Sequence, residues 1–175
     1  VTGEESPEQV LLRLKRLSTA VPEQLQFLDE MNAGIVAATI EKEKPGCVIV
    51  DSIQSLKSDF ANGEPGSVNQ IKSSAALLTE AAKKTGIPVI LIGQLTKDGD
   101  LAGPKLLEHL VDTVVMMEGD RMQQFRIARL IKHRFGNTDE SLILNMTEKG
   151  LEEVLDPSAA LLEDRPVGAS GTVVT

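Results

Sequence analysis

Two short aliphatic runs constrain this chain most. Cys47-Val48-Ile49-Val50 and Val89-Ile90-Leu91-Ile92 carry no polar alternation. Strands of that kind are buried on both faces, as in a parallel sheet covered by helices. Each run follows a helical pattern. Ala33 to Lys42 reads as a helix stopped by Pro45-Gly46, and the strand Cys47 to Asp51 comes next. Val68 to Lys84 is the clearest helix, with Ile71, Ala75, Leu78 and Ala82 on one face. Thr85-Gly86 ends it, and the strand Pro88 to Gly93 follows, with proline tolerable at a strand start.

The remaining segments complete the pattern. Ser6-Pro7-Glu8-Gln9 is a compact helix start: Ser6 caps, Pro7 takes the first helical position and Gln9 closes a capping box. Val10, Leu11, Leu14 and Leu17 then mark one helical face. Gln24 to Leu28 alternates and predicts a short strand. Ser52 to Gly66 and Leu95 to Pro104 read as polar, glycine-containing loops. Lys105 to Val111 predicts a short helix. Thr113 to Met117, Gln123 to Lys132 and Leu142 to Met146 predict successive strands, the last two joined by Phe135-Gly136-Asn137. The expected fold is α/β, a parallel sheet flanked by helices and extended by antiparallel strands. Residues 1–156 are expected to form one domain and 157–175 a tail or linker.

Composition limits the chemistry. The core must be aliphatic, because Trp and Tyr are absent and there are four Phe. Base stacking on aromatic platforms is correspondingly limited. A single cysteine, Cys47, rules out an intramolecular disulfide and a cysteine zinc cluster. Its place in an apolar strand predicts a small core residue, not a nucleophile. The two histidines, His109 and His133, lack metal-site spacing, and G-x-S-x-G is missing. No apolar stretch is long enough to span a bilayer, and a cytoplasmic setting is expected. Net charge is −8, which argues against strong nucleic-acid binding by this chain alone but leaves room for a basic channel built by several subunits.

In open α/β sheets, ligands sit at the C-terminal ends of the parallel strands. Three polar residues map there. Glu4 follows a strand represented by Val1-Thr2, Asp51 ends the second strand, and Gln94 ends the third. A buried strand delivering an Asp resembles a Walker B strand, which positions the Mg²⁺ of a nucleotide. Asp51 would hold Mg²⁺ through water with Ser52 beside it, a carboxylate at Glu4 would activate water, and Gln94 would sense the γ-phosphate. Taken singly, Asp51 reads equally well as a turn cap, Glu4 or Glu5 as a first-turn acid, and Gln94 as a loop amide. Their conjunction at three strand ends favours a nucleotide site. No G-x-x-x-x-G-K-[ST] phosphate loop occurs in the sequence, so the chain is expected to be the later part of a nucleotide-binding core. Lys132-His133-Arg134-Phe135-Gly136 forms a second cluster. Strand alternation puts Lys132 and Arg134 on one face, where an anion would relieve their repulsion. On spacing alone, an edge strand guarded by charge is the preferred account of that pair.

These residues resemble a known family. Thr2-Gly3-Glu4-Glu5-Ser6, Asp51-Ser52-Ile53-Gln54, Pro65-Gly66-Ser67-Val68, Leu101-Ala102-Gly103-Pro104-Lys105, Leu107-Glu108-His109, Val111-Asp112-Thr113-Val114 and Glu118-Gly119-Asp120-Arg121 are similar to the bacterial RadA (Sms) DNA repair ATPases. Lys132-His133-Arg134-Phe135-Gly136 is similar to the family's Lys-Asn-Arg-Phe-Gly signature, with His133 in place of Asn.

The resemblance implies a RecA-like P-loop NTPase core using ATP and Mg²⁺. It implies a homo-hexamer on single-stranded DNA, a branch-migration helicase acting on recombination intermediates beside a RecA-type recombinase. Carried over by position, Glu4, or Glu5 one place on, is the base and Asp51 the Mg²⁺ carboxylate. Gln94 couples nucleotide to DNA, and Lys132 and Arg134 reach a neighbouring subunit's nucleotide. The loops Ser58 to Gly66 and Leu95 to Pro104 face DNA, with Lys97 and Lys105 as phosphate contacts. The family's zinc module and Walker A loop would lie upstream, and its Lon-like domain downstream. The segment alone is therefore expected to be inactive. The alternatives are a non-catalytic RecA-fold ring or scaffold subunit, and a KaiC-like ATPase acting on protein.

Overall fold

The computed structural model describes residues 1–17, 21–94, 107–119 and 125–156. The chain forms two compact units. Among the described residues one lies within Val1–Val114 and Lys132–Gly136, the other within Val115–Ile131 and 137–156.

In the first unit, helices α1 (Pro7–Leu17), α2 (Ala33–Glu43) and α3 (Val68–Thr85) alternate with strands β1 (Val48–Asp51) and β2 (Val89–Ile92). The capping box at Ser6 forms as the sequence predicts. Gln9 N donates to Ser6 Oγ and Ser6 N to Gln9 Oε1, at 3.4 and 3.1 Å. Asn32 caps α2 by accepting from Gly34 N and Ile35 N. Gly86, at φ 72°, closes α3 in the left-handed region that glycine enters without a Cβ penalty.

β1 and β2 pair in parallel, Val48 opposite Val89 and Asp51 opposite Ile92. A third parallel segment lies on the other edge of β1. Thr2 bridges Asp51, Asp51 N donates to Val1 O at 3.1 Å, and Gly3 N donates to Asp51 O at 2.9 Å. The core is aliphatic, as composition requires: Ala33, Val36, Ile40, Val48, Val50, Ile53, Leu56, Ile71, Ala75, Leu78 and Leu107.

Some expectations are corrected. Gln24 to Leu28 is not a strand; its one ladder-like contact is Leu28 O accepting from Thr2 N at 3.1 Å. Cys47 is exposed and lies outside β1, because pairing with β2 starts at Val48. The aliphatic strands are buried on one face among the described residues. Val50 is fully buried, whereas Ile49 and Ile90 are 52% and 51% exposed. The buried face of α3 includes two polar residues, Gln70 and Ser74, that apolar periodicity does not reveal.

Gln70 is the polar centre of the unit. Its Oε1 accepts from Ser58 N at 2.7 Å, and its Nε2 donates to the carbonyls of Ala61 and Gly63 at 2.6 and 3.2 Å. Ser58 Oγ also meets Ser73 Oγ at 2.7 Å. The loop after β1 is thus fastened to α3 from beneath. Replacing Gln70 by Leu is expected to cost about 1–3 kcal/mol, since buried backbone groups lose their partners. Urea unfolding measures this loss, and faster proteolysis within 58–63 is expected alongside it.

The second sheet runs β3 (Thr113–Gly119), β4 (Phe125–His133), β5 (Ser141–Thr147) and β6 (Gly150–Glu153) in spatial order. β4–β5 and β5–β6 are antiparallel, with Ile127 opposite Ile143 and Met146 opposite Leu151. β6 escaped the sequence reading because Gly150-Leu151-Glu152-Glu153 carries one apolar residue. The expected tail 157–175 lies outside the described residues.

Candidate active site

The three parallel segments end side by side, and their end residues meet. Glu4 leaves the first segment directly after Gly3. Its Oε1 accepts a hydrogen bond from Ser52 Oγ, at the end of β1. Its Oε2 accepts from Gln94 Nε2 at 3.0 Å, beyond β2. One carboxylate therefore ties the ends of all three segments together. Ser52 is fully buried, and the Asp51–Ser52 peptide bond is cis.

The neighbouring acid has a different environment. Glu5 pairs with Arg13 on α1. Sequence alone left the base at Glu4 or Glu5. The structure places Glu4, and not Glu5, against Ser52 and Gln94.

The position before Glu4 is sterically closed. A Cβ built on Gly3 would overlap Ser55 Oγ and lie 2.6 Å from Ser55 Cβ. Ser55 belongs to the 3₁₀ turn Ile53–Ser55 that follows β1, and its Oγ donates to Ser52 O at 2.7 Å. Only glycine lets the first segment lie this close to that turn.

Asp51 has its backbone in the ladder and its side chain exposed, opposite in direction to the buried Val50. Its carboxylate stands outside the Glu4–Ser52–Gln94 set. A hard, exposed carboxylate oxygen suits Mg²⁺, which is held by one or two carboxylates and keeps most of its waters. Among the described residues no group of three or more His, Cys, Asp or Glu forms a metal site made by protein ligands alone.

Lys132 and Arg134 lie elsewhere in the first unit, bonded to the segment leading into β3. Lys132 Nζ donates to Glu108 O and, at 2.8 Å, to Val111 O. Arg134 Nη1 pairs with Asp112 Oδ1 at 2.7 Å, and Arg134 N donates to Asp112 O at 2.9 Å. Between them, His133 Nδ1 lies 2.9 Å from Thr113 Oγ1. In this chain the two cations thus have intramolecular partners. Lys97 and Lys105, with the loop Leu95 to Pro104, lie outside the described residues. The expected helix Lys105 to Val111 is described only from Leu107, where a single helical residue passes into a turn.

The architecture is a RecA-like fold. The chain superposes on a solved ATPase domain with a TM-score of 0.59 at 18% identity, covering 73% of this chain and 54% of that one. It superposes on the RadB recombinase with a TM-score of 0.50 at 23% identity, covering 70% and 59%. No family model matches the sequence.

Sequence relatives are more specific. The DNA repair protein RadA of Bacillus subtilis is 44% identical over 175 residues, all of this chain and 38% of that protein. RadA of Aquifex aeolicus is 44% identical over 174 residues, and RadA of Pseudomonas aeruginosa 42% over 175. The chain is a homologue of RadA along its whole length, and it spans about two fifths of the relatives it matches.

Proposed function

We propose that this chain is the later part of the ATPase core of a RadA-type DNA repair protein. The observation that carries the proposal is the Glu4 carboxylate joined to both Ser52 and Gln94 at the ends of three parallel segments. Ligands bind at that end of an open α/β sheet. The phosphate loop is proposed to lie upstream of Val1.

In this proposal Glu4 takes the proton of the attacking water, held in register by Ser52. Asp51 and Ser52 hold Mg²⁺ through water, and the ion would neutralise charge developing on the phosphates. Gln94 joins Glu4 to the stretch that follows it. A change there would move the amide that Glu4 accepts from. Lys132 and Arg134 act on the nucleotide of a neighbouring subunit, exchanging their own-chain partners for its phosphates. The loop Ser58 to Gly66 and the stretch 95–104, with Lys97 and Lys105, face single-stranded DNA. The assembled protein is proposed to be a hexameric branch-migration helicase working beside a RecA-type recombinase in the cytoplasm. No helix among the described residues is long and apolar enough to cross a membrane.

The test is a longer protein that carries this segment with the expected phosphate loop. It is expected to hydrolyse ATP, and single-stranded DNA is expected to raise the rate. Binding to DNA should weaken steeply with salt as counterion release diminishes. A longer protein that binds nucleotide without turnover would support a non-catalytic ring subunit instead. Turnover stimulated by a protein and not by DNA would support the KaiC-like alternative.

A further inference from the structure

Helix α1 is amphipathic in sequence, yet none of its 11 residues is buried. A helix this short is marginal in water by itself and draws its stability from what covers it. Val10, Leu11 and Leu14 are half-buried against the chain. The opposite side is open. There Leu12, 68% exposed, precedes Lys15 and Arg16 by one turn. Residues three and four apart are neighbours on a helix surface, so one leucine and two cations form a single face. Arg13 pairs with Glu5, whereas Lys15 and Arg16 enter no ion pair among the described residues.

A face of matching chemistry lies on the β5–β6 hairpin. Opposed residues of an antiparallel pair point to one side, and so do alternate residues along a strand. Met146 opposite Leu151 and Leu144 opposite Glu153 therefore share a face. Met146 and Leu151 are 45% and 43% exposed, and Glu153 is exposed as well. Glu148 stands in the turn that joins the two strands. Arg126, opposite Leu144 on β4, bounds the face on the other side. The hairpin carries Glu148, Glu152 and Glu153 against Lys149, while α1 carries Arg13, Lys15 and Arg16 against Glu8. Both surfaces are apolar with charged margins, and the charges are of opposite sign.

We infer that the Leu12–Lys15–Arg16 face of α1 docks on the Met146–Leu151–Glu153 face of the hairpin in a second copy of this chain. Leu12 enters between Met146 and Leu151, and the two cations meet Glu153 and Glu148. Opposite charge fixes the register and disfavours α1 on α1 or hairpin on hairpin. Because the two faces differ, the contact either closes reciprocally between two copies or repeats head to tail. The inference uses none of Glu4, Ser52 and Gln94 and does not rest on the ATPase reading.

The experiment uses the longer protein and follows assembly by sedimentation velocity over a concentration series. Lys15→Glu/Arg16→Glu and Glu148→Lys/Glu153→Lys are each expected to raise the concentration of half-assembly about tenfold or more, with thermal midpoints close to the parent. All four changes in one chain should bring it back to within about threefold, because opposite charges face each other again. Proximity is read in a Cys47→Ser background by mixing Leu12→Cys subunits with Leu151→Cys subunits. A disulfide between subunits, mapped by mass spectrometry to positions 12 and 151, is the expected product. Unchanged assembly in both charge-reversed variants overturns the inference, as does a combined variant that fails to recover or a parent that stays monomeric. A disulfide that forms only within a chain carrying both cysteines also overturns it, since the contact is then internal. The proposed ATPase function is judged separately, by turnover of the parent protein.

Discussion

Glu4→Gln, in the longer protein, is expected to lower ATP turnover by about 10²–10⁴-fold, the usual contribution of a positioned general base. The substitution is close to isosteric. Its carbonyl oxygen still accepts from Ser52 Oγ, and a flip of the Gln94 amide restores an acceptor for the new amino group. Folding is thus expected to persist while proton acceptance is lost. Single-turnover phosphate release with nucleotide binding measured in parallel is the decisive readout. Turnover within about threefold of the parent would remove Glu4 from the role of base. Glu5→Gln is the matched control. Its pairing with Arg13 involves side chains 36% and 55% exposed, worth at most about 1 kcal/mol, and turnover is expected to hold.

Arg134→Ala has the second large expectation, a fall of about 10³-fold or more if the guanidinium stabilises transferring phosphoryl charge from a neighbouring subunit. Its present partner offers little resistance to leaving. The Asp112 pair is 58% and 42% exposed on its two sides, so breaking it costs about 1 kcal/mol or less, and thermal stability should barely change. A mixing experiment isolates action in trans. Subunits carrying Arg134→Ala retain Glu4, and subunits carrying Glu4→Gln retain Arg134. Rings assembled from both contain some interfaces with each residue intact, so turnover should partly recover. No recovery, together with an unimpaired single variant, would return Arg134 to guarding a strand edge.

The outline of the site was legible because strand ends are marked by a chemical discontinuity. Val48 to Val50 stops at Asp51, and Val89 to Ile92 stops before Gln94, so a polar side chain following an aliphatic run located each end. The first segment was visible only as Val1-Thr2, yet its position beside β1 follows from the same rule. The choice between Glu4 and Glu5 was not legible. Adjacent residues differ in direction, and direction depends on the approach of Gly3 to Ser55. Gln70 was missed because periodicity weighs polarity, while its amide is tolerated in the core by partners in the loop leading into α3. It does recur at helical spacing with Ser74, Leu78 and Ala81, which is the signal that was available. Gln54, whose amide donates to Gln94 O, carried none, since its partner is a carbonyl. The strand expected at Gln24 to Leu28 failed because alternation specifies a half-buried surface, whereas pairing needs a neighbour in register. Cys47 shows the same limit: an apolar residue next to a strand is inside only where the ladder includes it.

The Gly3–Ser55 approach also bears on how tolerance to substitution is interpreted at this site. Positions 3 and 4 are adjacent, and the constraints on them have unrelated causes. At position 4 the proposed constraint is the carboxyl group, and a same-shaped amide would keep the shape while removing the proposed proton acceptor. At position 3 the constraint is the volume of a single methyl, and even alanine would wedge the first segment away from the turn that carries Ser55. Such a lesion would carry Glu4 away from Ser52 and would mimic the loss of the proposed base. Inactivity at position 3 is thus a statement about clearance, and only a variant that keeps the backbone in place can report on the chemistry next to it.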